Sequence, residues 1–361
     1  MIFFKYLLFS SFLLLNGIAI ASDIIVGTWN VKRLGHGDKQ NYEALAEIGQ
    51  RMDIIALQEV MTEAGLARLE RAMEKRTGES WSTMASHAIG SSSYKEFYAF
   101  LWREKTVEYD EGAVVYLDRG DRFIREPFSA QFKSKQDNSK FAIATVHILY
   151  GKGVSDREPE IRELSEYWTW FTSLYPNAEH MLVGDFNLDP KHAAWQPLKA
   201  YARPLVTSGA STLSVANGSF ANLYDNIWVS KNNRLKITDS GIINFPIILG
   251  FNHELSRATI SDHVPLYVAL GNAKLDVTKG QTLTSVPAAP KNTAAPIHVE
   301  RKPASSASQN YLSGVRGNKN SKIYHRSDCP SYNKISDKNR VEFKSAQEAI
   351  ASGYRIAGNC R

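Results

Sequence analysis

Met181-Leu182-Val183-Gly184-Asp185-Phe186-Asn187 is a stretch that begins with three apolar residues and ends with an acid and an amide. Alternation along an extended chain places the side chains of Asp185 and Asn187 on the same face, two residues apart. Both could then address one phosphate or one metal-bound water. A short strand followed by an Asx turn explains the same residues equally well. Other parts of the sequence must decide between a turn and a reactive site.

Short apolar runs of this kind recur along the chain and alternate with amphipathic stretches. Proline is tolerated in the first turn of a helix, so Glu158-Pro159 is predicted to open the third helix. The pattern predicts an α/β layered domain, with strands at residues 24–29, 53–58, 113–116, 141–147, 181–183, 223–229 and 264–269 and helices at 42–52, 63–75 and 158–175.

The chain has 361 residues, and its 43% hydrophobic content is that of a globular protein. Its composition changes along the chain. Residues 273–317 are rich in Pro, Ala, Ser and Thr, which predicts a linker between a body, residues 22–272, and a small C-terminal module, residues 318–361. From residue 311 to 361, ten Lys and Arg minus four Asp and Glu give +6, which equals the net charge of the whole chain. The basic tail suggests attraction to a polyanion, and a solvated, solubilising tail is the alternative.

The first 21 residues have the pattern of an export signal. Lys5 precedes a short apolar run, and Ala19-Ile20-Ala21 is a small-x-small cleavage site. The run is too short to span a bilayer. We therefore expect cleavage after Ala21, a mature chain beginning at Ser22, a secreted or periplasmic protein, and no stable membrane association after cleavage.

Cys329 and Cys360 are the two cysteines of the chain. An even number of cysteines in an exported protein predicts a disulfide, here one that closes the tail. Free thiols and half of a metal site are the alternatives.

Polar side chains stand at the ends of the predicted strands of the body. Each one alone has a structural explanation, such as a turn residue or a hydrogen-bonded core histidine. Independent turns would not place two histidines, four carboxylates and two amides in this position, so together they predict a reactive site. The eight residues are Asn30, Glu59, His147, Asp185, Asn187, Asp225, Asp262 and His263.

This set of side chains suits hydrolysis of a phosphodiester by a metal-activated water. A hard divalent ion such as Mg²⁺ or Mn²⁺ takes oxygen ligands, and Glu59 with Asn30 or Asp262 could supply them. Histidines can donate to a phosphate oxygen or accept a proton near neutral pH, especially when a carboxylate holds the second ring nitrogen. Zinc is disfavoured in the body, which has no His-x-x-x-His and no close His/Cys cluster.

The same residues resemble the signature of the endonuclease/exonuclease/phosphatase superfamily, whose fold is a four-layered α/β sandwich. The resemblance covers residues 24–270, and two further stretches, residues 93–101 and Arg125-Glu126-Pro127, resemble secreted deoxyribonuclease I. The motifs are Trp29-Asn30, Gln58-Glu59-Val60, Gly184-Asp185-Phe186-Asn187, Tyr224-Asp225-Asn226-Ile227 and Ser261-Asp262-His263.

The resemblance implies a role for each residue. Glu59 would be the principal metal ligand, with Asn30 and Asp262 beside it. His147 and His263 would flank the scissile phosphate as general acid and base, His147 oriented by Glu96 and His263 by Asp225. Asp185 would orient or deprotonate the attacking water, and Asn187 and Tyr94 would contact phosphate oxygens. Products would carry 5′-phosphate and 3′-hydroxyl ends.

Several positions depart from the deoxyribonuclease I pattern. Met61 and Gln131 stand where the mammalian enzymes have arginines that contact DNA, and Lys32 stands where a third arginine is expected. Loss of guanidinium groups should weaken binding to the duplex. The cysteine of the family's loop disulfide is absent after Asn187, so structural Ca²⁺ sites have no support from the sequence.

The C-terminal module resembles the small zinc-binding domain of the bacterial alkylated-DNA repair protein, with two of its four cysteines. Its tyrosines are interleaved with cations, so we expect it to tether nucleic acid non-specifically. The sequence thus predicts an exported Mg²⁺- or Mn²⁺-dependent DNase, with RNA as the alternative polymer and no protein partner. A sphingomyelinase or phosphoinositide phosphatase of the same superfamily and a catalytically weak nucleic-acid-binding protein are the alternative functions.

Overall fold

The computed structural model of the protein describes residues 23–91 and 94–278, and from residue 315 onward it describes 315–319, 322–326, 332, 335, 339–343, 348–349 and 352–357. The chain divides into two compact units, Met1–Ala288 and Ala289–Arg361. The expected signal peptide and both cysteines lie outside the described residues, so cleavage after Ala21 and the disulfide stay predictions.

The first unit contains twelve strands and six α-helices among its described residues. The strands are β1 (Ile25–Leu34), β2 (Ile54–Val60), β3 (Trp81–Ala85), β4 (Phe97–Arg103), β5 (Val107–Val115), β6 (Phe128–Ser134), β7 (Lys140–His147), β8 (Glu179–Asp185), β9 (Ala202–Pro204), β10 (Asp225–Ser230), β11 (Ile237–Ile242) and β12 (Leu266–Leu270). The helices are α1 (Tyr42–Gly49), α2 (Glu63–Thr77), α3 (Val154–Leu174), α4 (Gln196–Lys199), α5 (Phe245–Leu249) and α6 (His253–Thr259), with a 3-10 turn at Ala193–Trp195.

These strands form two six-stranded mixed sheets. The first has the order β11-β12-β1-β2-β4-β3 and the second the order β5-β6-β7-β8-β10-β9. Each of the seven strands predicted from the sequence overlaps an observed strand. The α/β layered architecture is confirmed.

Three apolar layers alternate with the sheets, because successive side chains of a strand point to opposite faces. Val26, Phe100 and Val183 belong to the layer shared by the two sheets. Leu45 of α1 and Leu69 of α2 pack with Trp29 on the outer face of the first sheet. Side chains of α3 cover the outer face of the second sheet in the same way. The order helix, sheet, sheet, helix confirms the four-layered α/β sandwich.

The side-chain amide of Gln58 is a polar group within the apolar layer between the sheets. The buried amide of Gln58, on β2, donates to the hydroxyl of Thr28 on β1 at 3.1 Å and to that of Thr145 on β7 at 2.8 Å. The Oε1 atom of Gln58 is buried and has no hydrogen-bond partner among the residues that the structure describes. This amide links the first sheet to the second next to Glu59 and close to His147.

The start of α3 and the end of the body are among the boundaries that differ from the sequence prediction. Helix α3 begins at Val154, so Pro159 lies inside the helix rather than in its first turn. The exposed position of Pro159 leaves the carbonyl of Ser155, which lacks an amide partner, open to water. The body also extends beyond residue 272, because the buried guanidinium of Arg51 donates to the carbonyls of Asp276 and Thr278, both at 3.0 Å.

The second unit contains a small sheet in its described residues. Its strands are β13 (Val315–Asn318), β14 (Ile323–Arg326), β15 (Arg340–Phe343) and β16 (Arg355–Ile356), in the order β15-β13-β14-β16. Tyr324, Phe343 and Tyr354 form its apolar cluster. Strand β13 begins at Val315, so the ordered module starts before the predicted residue 318. Among the described residues of the whole chain, no helix has the length and apolarity needed to cross a bilayer.

Candidate active site

Three of the predicted site residues lie side by side across neighbouring strands. His147 at the end of β7 is the parallel register partner of Asp185 at the end of β8. Asp225 at the start of β10 is the antiparallel register partner of the same Asp185. The strand ends therefore place one imidazole and two carboxylates at the same level of the second sheet.

The backbone before Asp185 passes unusually close to β7. Gly184 has φ = +140°, and a Cβ atom built at this position would lie 2.0 Å from the carbonyl oxygen of Val146. Only glycine can occupy such a position without displacing the neighbouring strand. The glycine of the Gly-Asp-Phe-Asn motif thus allows His147 and Asp185 to pair in register.

His147 is fixed through both its ring and its backbone. Its Nδ1 lies 2.9 Å from Oε1 of Glu96, which is fully buried. The amide of His147 donates to the hydroxyl of Tyr98 at 2.7 Å, and its carbonyl accepts from Nε of Arg125 at 2.8 Å. Burial opposes protonation, but the Glu96 carboxylate outweighs this effect and raises the pKa of His147.

His263 forms the second histidine–carboxylate pair. Its Nδ1 lies 2.8 Å from Oδ2 of Asp225. The carbonyl of His263 accepts from the indole of Trp29 at 2.8 Å, and its amide donates to Ser261 Oγ at 3.0 Å. Burial alone would lower the pKa of His263, but the carboxylates of Asp225 and Asp185 raise it to about 10.

Asp185 is shared by the two pairs. Its Oδ2 atom lies 3.6 Å from Nε2 of His147 and 3.6 Å from Nε2 of His263. Its Oδ1 atom accepts the backbone N–H of Asn187 at 3.0 Å. Burial favours the neutral acid, yet the two histidines overcome this and lower the pKa of Asp185. The carboxylate is thus held ionised between two imidazoles.

Asn30 connects a further carboxylate, that of Glu59, to the same cluster. The Nδ2 atom of Asn30 donates to Glu59 Oε1 at 3.0 Å and to Asp185 Oδ2 at 3.1 Å. Glu59 adopts φ = +58°, an uncommon backbone region for a non-glycine residue that often marks functional sites. The hydroxyl of Tyr94 approaches Glu59 Oε2 at 3.5 Å. Glu59, Asn30 and Tyr94 therefore lie at the same cluster, with Asn30 as a bridge between the carboxylates of Glu59 and Asp185.

Oxygen ligands suitable for a hard divalent cation are present in this cluster. Glu59 and Asp185 are brought together by Asn30. Within the described part of the chain, the buried Oδ1 of Asp225 has no hydrogen-bond partner. One ligand atom each from Asp185, Asp225 and His263 also lies within 4.8 Å of the others. Carboxylate oxygens are donors that Mg²⁺ and Mn²⁺ prefer, so the carboxylates of Glu59 and Asp185 fit a cation of this class.

Asp262 lies beside the cluster in a different setting. Its carboxylate pairs with Lys32 Nζ at 3.3 Å and with the guanidinium of Arg257 at 3.4 Å. Lys32 Nζ also donates to the carbonyl of Arg257 at 2.9 Å. Asp262 was predicted as a metal ligand. In the structure it pairs with two cationic side chains at the cleft, those of Lys32 and Arg257.

A cleft of about 410 Å³ opens onto these groups. Asn187 lines it, but its side chain is buried and its Nδ2 donates to the carbonyl of Ile148 at 2.8 Å. Gln131, expected from the resemblance at a DNA-contacting position, is instead buried in β6, where its amide donates to Asp110 at 2.7 Å and Glu111 at 2.9 Å. The register of β6 therefore turns this position away from the cleft.

Sequence reasoning missed several residues that build the cleft. Tyr98 and Arg125 support His147, and Arg257 balances Asp262. Arg157 of α3 is buried and donates to the carbonyl of Asn187 at 2.5 Å. These residues lie inside elements or in loops rather than at predicted strand ends. Tyr98 and Arg125, which lie within the stretches that resemble deoxyribonuclease I, could have been singled out from the sequence.

The fold is a four-layered sandwich in which two sheets pack face to face. Paired histidines and carboxylates lie at one end of the strands and form a site of the kind found in hydrolases. The chain belongs to the endonuclease/exonuclease/phosphatase family, whose sequence profile matches residues 27–263.

Named relatives make the likeness more specific. The chain is 46% identical over 258 residues to a deoxyribonuclease of Thioalkalivibrio sp. (strain K90mix), covering 69% of this chain and 72% of that protein. It is 30% identical to deoxyribonuclease-1-like 1 of Sus scrofa, over 64% of this chain and 75% of that protein. A family protein of Bacteroides thetaiotaomicron shares the fold, with a TM-score of 0.53 and 17% identity over 68% of this chain and 97% of that chain.

Proposed function

We propose that the protein is an exported, Mg²⁺- or Mn²⁺-dependent endonuclease that hydrolyses DNA to 5′-phosphate and 3′-hydroxyl ends. The observation that carries the proposal is the position of Asp185 Oδ2, 3.6 Å from Nε2 of both His147 and His263. The named deoxyribonucleases among the relatives support DNA as the substrate.

The chain's own groups account for the proton transfers of such a reaction. A water oxygen attacks phosphorus, the bond between phosphorus and the 3′ oxygen breaks, and the water proton passes to Asp185 or to a neutral imidazole. The other histidine, in its charged form, protonates the departing 3′ oxygen. Glu96 and Asp225 fix the Nδ1 side of each ring, which leaves Nε2 directed at the substrate.

A divalent cation would be held by Glu59, with Asp185 and Asn30 beside it. When bound, it would neutralise charge on the phosphate. Lys32 and Arg257, which both pair with Asp262, supply fixed positive charge at the cleft. DNA phosphates would therefore enter a cleft whose cations are already oriented.

Cleavage of supercoiled plasmid tests the proposal. We expect nicking by the wild type with Mg²⁺ or Mn²⁺, none with EDTA, and a loss of about 10²–10⁴-fold in His263→Ala. The matched control is His87→Ala, because His87 is exposed and lies outside the cleft. DNA ligase should reseal the nicks without prior phosphatase or kinase treatment, since it requires 5′-phosphate and 3′-hydroxyl ends.

The same preparation should be offered RNA, sphingomyelin and a phosphoinositide. Intact plasmid together with hydrolysis of either lipid would contradict the proposal, and faster cleavage of RNA would reassign the polymer. Nicking that survives EDTA dialysis would contradict the metal requirement.

Export and the tail disulfide rest on the sequence. We propose cleavage after Ala21 and a disulfide between Cys329 and Cys360, with zinc as the alternative for the module. N-terminal sequencing of the protein from the periplasm or medium should begin at Ser22. Intact mass should rise by two hydrogens on reduction, and an unchanged mass would contradict the disulfide.

A further inference from the structure

The side chain of Tyr150 lines the cleft without a role in the proposed chemistry. Tyr150 borders the same cleft as Asp185 and His263, three residues after His147. Its side chain is 56% exposed, although the neighbouring His147 and Asp185 are buried. An exposed ring in a cleft is a feature that points to ligand contact.

Arg157 holds this tyrosine in place. The guanidinium carbon of Arg157 lies 4.2 Å from the centroid of the Tyr150 ring and covers one of its faces. Nε of Arg157 donates to the carbonyl of Tyr150 at 2.8 Å. Both the ring and the backbone of Tyr150 are thus fixed before any substrate binds, which reduces the entropy cost of contact.

The same guanidinium connects Tyr150 to the other loops of the site. Nη1 of Arg157 donates to the carbonyl of Asn187 at 2.5 Å and to the hydroxyl of Tyr224 at 3.2 Å. The Tyr224 ring lies edge-on to Tyr150, with 6.3 Å between centroids. Tyr150 is therefore set at a defined position relative to Asp225, the residue after Tyr224.

We propose that Tyr150 is a stacking platform for an unpaired nucleobase next to the scissile phosphate, and that the enzyme favours single-stranded over double-stranded DNA. The inference rests on the proposed nuclease function and names its substrate class. One ring face is covered by Arg157, and the exposed remainder is open to a base.

Strand preference follows from what each form of DNA can offer to this ring. Bases of a duplex are stacked on one another, whereas the bases of a single strand can stack on an aromatic side chain. Such stacking changes affinity by about 5–150-fold per base.

Oligonucleotides of one sequence, single-stranded and annealed, test the platform with Tyr150→Ala, Tyr150→Phe and Tyr150→Trp. We expect wild-type kcat/KM to be higher on the single strand. Tyr150→Ala should raise KM for the single strand about 5–150-fold with a smaller change in kcat, so that the ratio of single-strand to duplex kcat/KM falls. The Phe and Trp variants, which keep a stacking ring, should restore that ratio.

Tyr201→Ala is the matched control, because Tyr201 is 50% exposed and does not line the cleft. Binding of the fluorescein-labelled single strand in EDTA gives a second readout, and its Kd should rise in Tyr150→Ala. An equal loss on both DNA forms, or an unchanged ratio and Kd, would overturn the platform while leaving the nuclease in place. A wild-type protein that cleaves neither form would instead overturn the proposed function.

Discussion

Asp185 lies directly opposite Asp225 in the antiparallel pairing of β8 and β10. Two buried carboxylates at adjacent positions repel each other, and burial together with the Asp185 charge raises the pKa of Asp225 although His263 opposes the shift. The arrangement persists because the two carboxylates share His263, which bonds Asp225 through Nδ1 and faces Asp185 through Nε2. Asp225 thus fixes the Nδ1 side of the His263 ring, and Asp185 faces its Nε2 side.

The first prediction concerns the shared carboxylate. Asp185→Asn keeps the size of the side chain and removes the charge between the two imidazoles. We expect turnover on plasmid DNA to fall by about 10²–10⁴-fold, with folding and DNA binding largely retained. Asp189→Asn is the control, since Asp189 is exposed in the following loop. Near-normal turnover in Asp185→Asn would contradict its role.

The Glu96–His147 pair predicts a change in proton affinity. Glu96→Gln removes the charge that raises the pKa of His147, so this pKa should fall, as measured by NMR titration of the metal-free protein. The pKa of Glu96 is itself lowered in the folded protein: burial raises it, but His147 outweighs that effect.

The sign of the effect on stability follows from these two shifts. Glu96 contributes stability above its unfolded pKa of about 4.3, and His147 contributes fully below its unfolded pKa of about 6.5. The loss of unfolding free energy in Glu96→Gln, about 1.5–3 kcal/mol, should be largest between these values and shrink as pH rises through the folded pKa of His147. Denaturant unfolding at pH 5.5 and pH 9 measures it, and an equal loss at both would contradict the pairing.

A third prediction tests the close approach of β7 and β8. Gly184→Ala would place a methyl group 2.0 Å from the carbonyl of Val146, at a φ unfavourable for alanine. We expect a loss of stability of about 3 kcal/mol or more and a larger loss of activity, because the strand ends must separate. Gly209→Ala also has positive φ but open space around it, so it gives the cost of backbone conformation alone.

The fourth prediction concerns the basic C-terminal module. Deleting residues 289–361 removes the second unit whole, whereas a cut after Gly317 would divide β13. The apparent KM for long DNA should rise, and the slope of log affinity against log salt should flatten by about 1 for each phosphate that the module neutralises in the full chain. A substrate too short to reach both units should be cleaved at the wild-type rate. An unchanged salt dependence on long DNA would contradict the tether.

The sequence predicted the strand-end residues because each adjoins an apolar run whose limits are visible in the chain. The pairing of His147 with Glu96 was available from the resemblance, and the structure brings these two residues together. The start of α3 was misplaced because the sequence rule puts a proline in the first turn, whereas Pro159 lies beyond the first turn of the helix. Arg157 was out of reach, since its partners Tyr150, Asn187 and Tyr224 come from three separate loops.

The amide of Gln58 has a consequence for how this protein can vary. An apolar layer between two sheets tolerates sliding, because its side chains can repack in more than one arrangement. A hydrogen-bonded amide that must meet both Thr28 and Thr145 admits a single alignment of the sheets. Glu59 follows Gln58 directly and His147 lies two residues beyond Thr145, so the alignment sets the spacing between the two halves of the active site. Loss of this amide should therefore lower the catalytic rate through the spacing between Glu59 and His147.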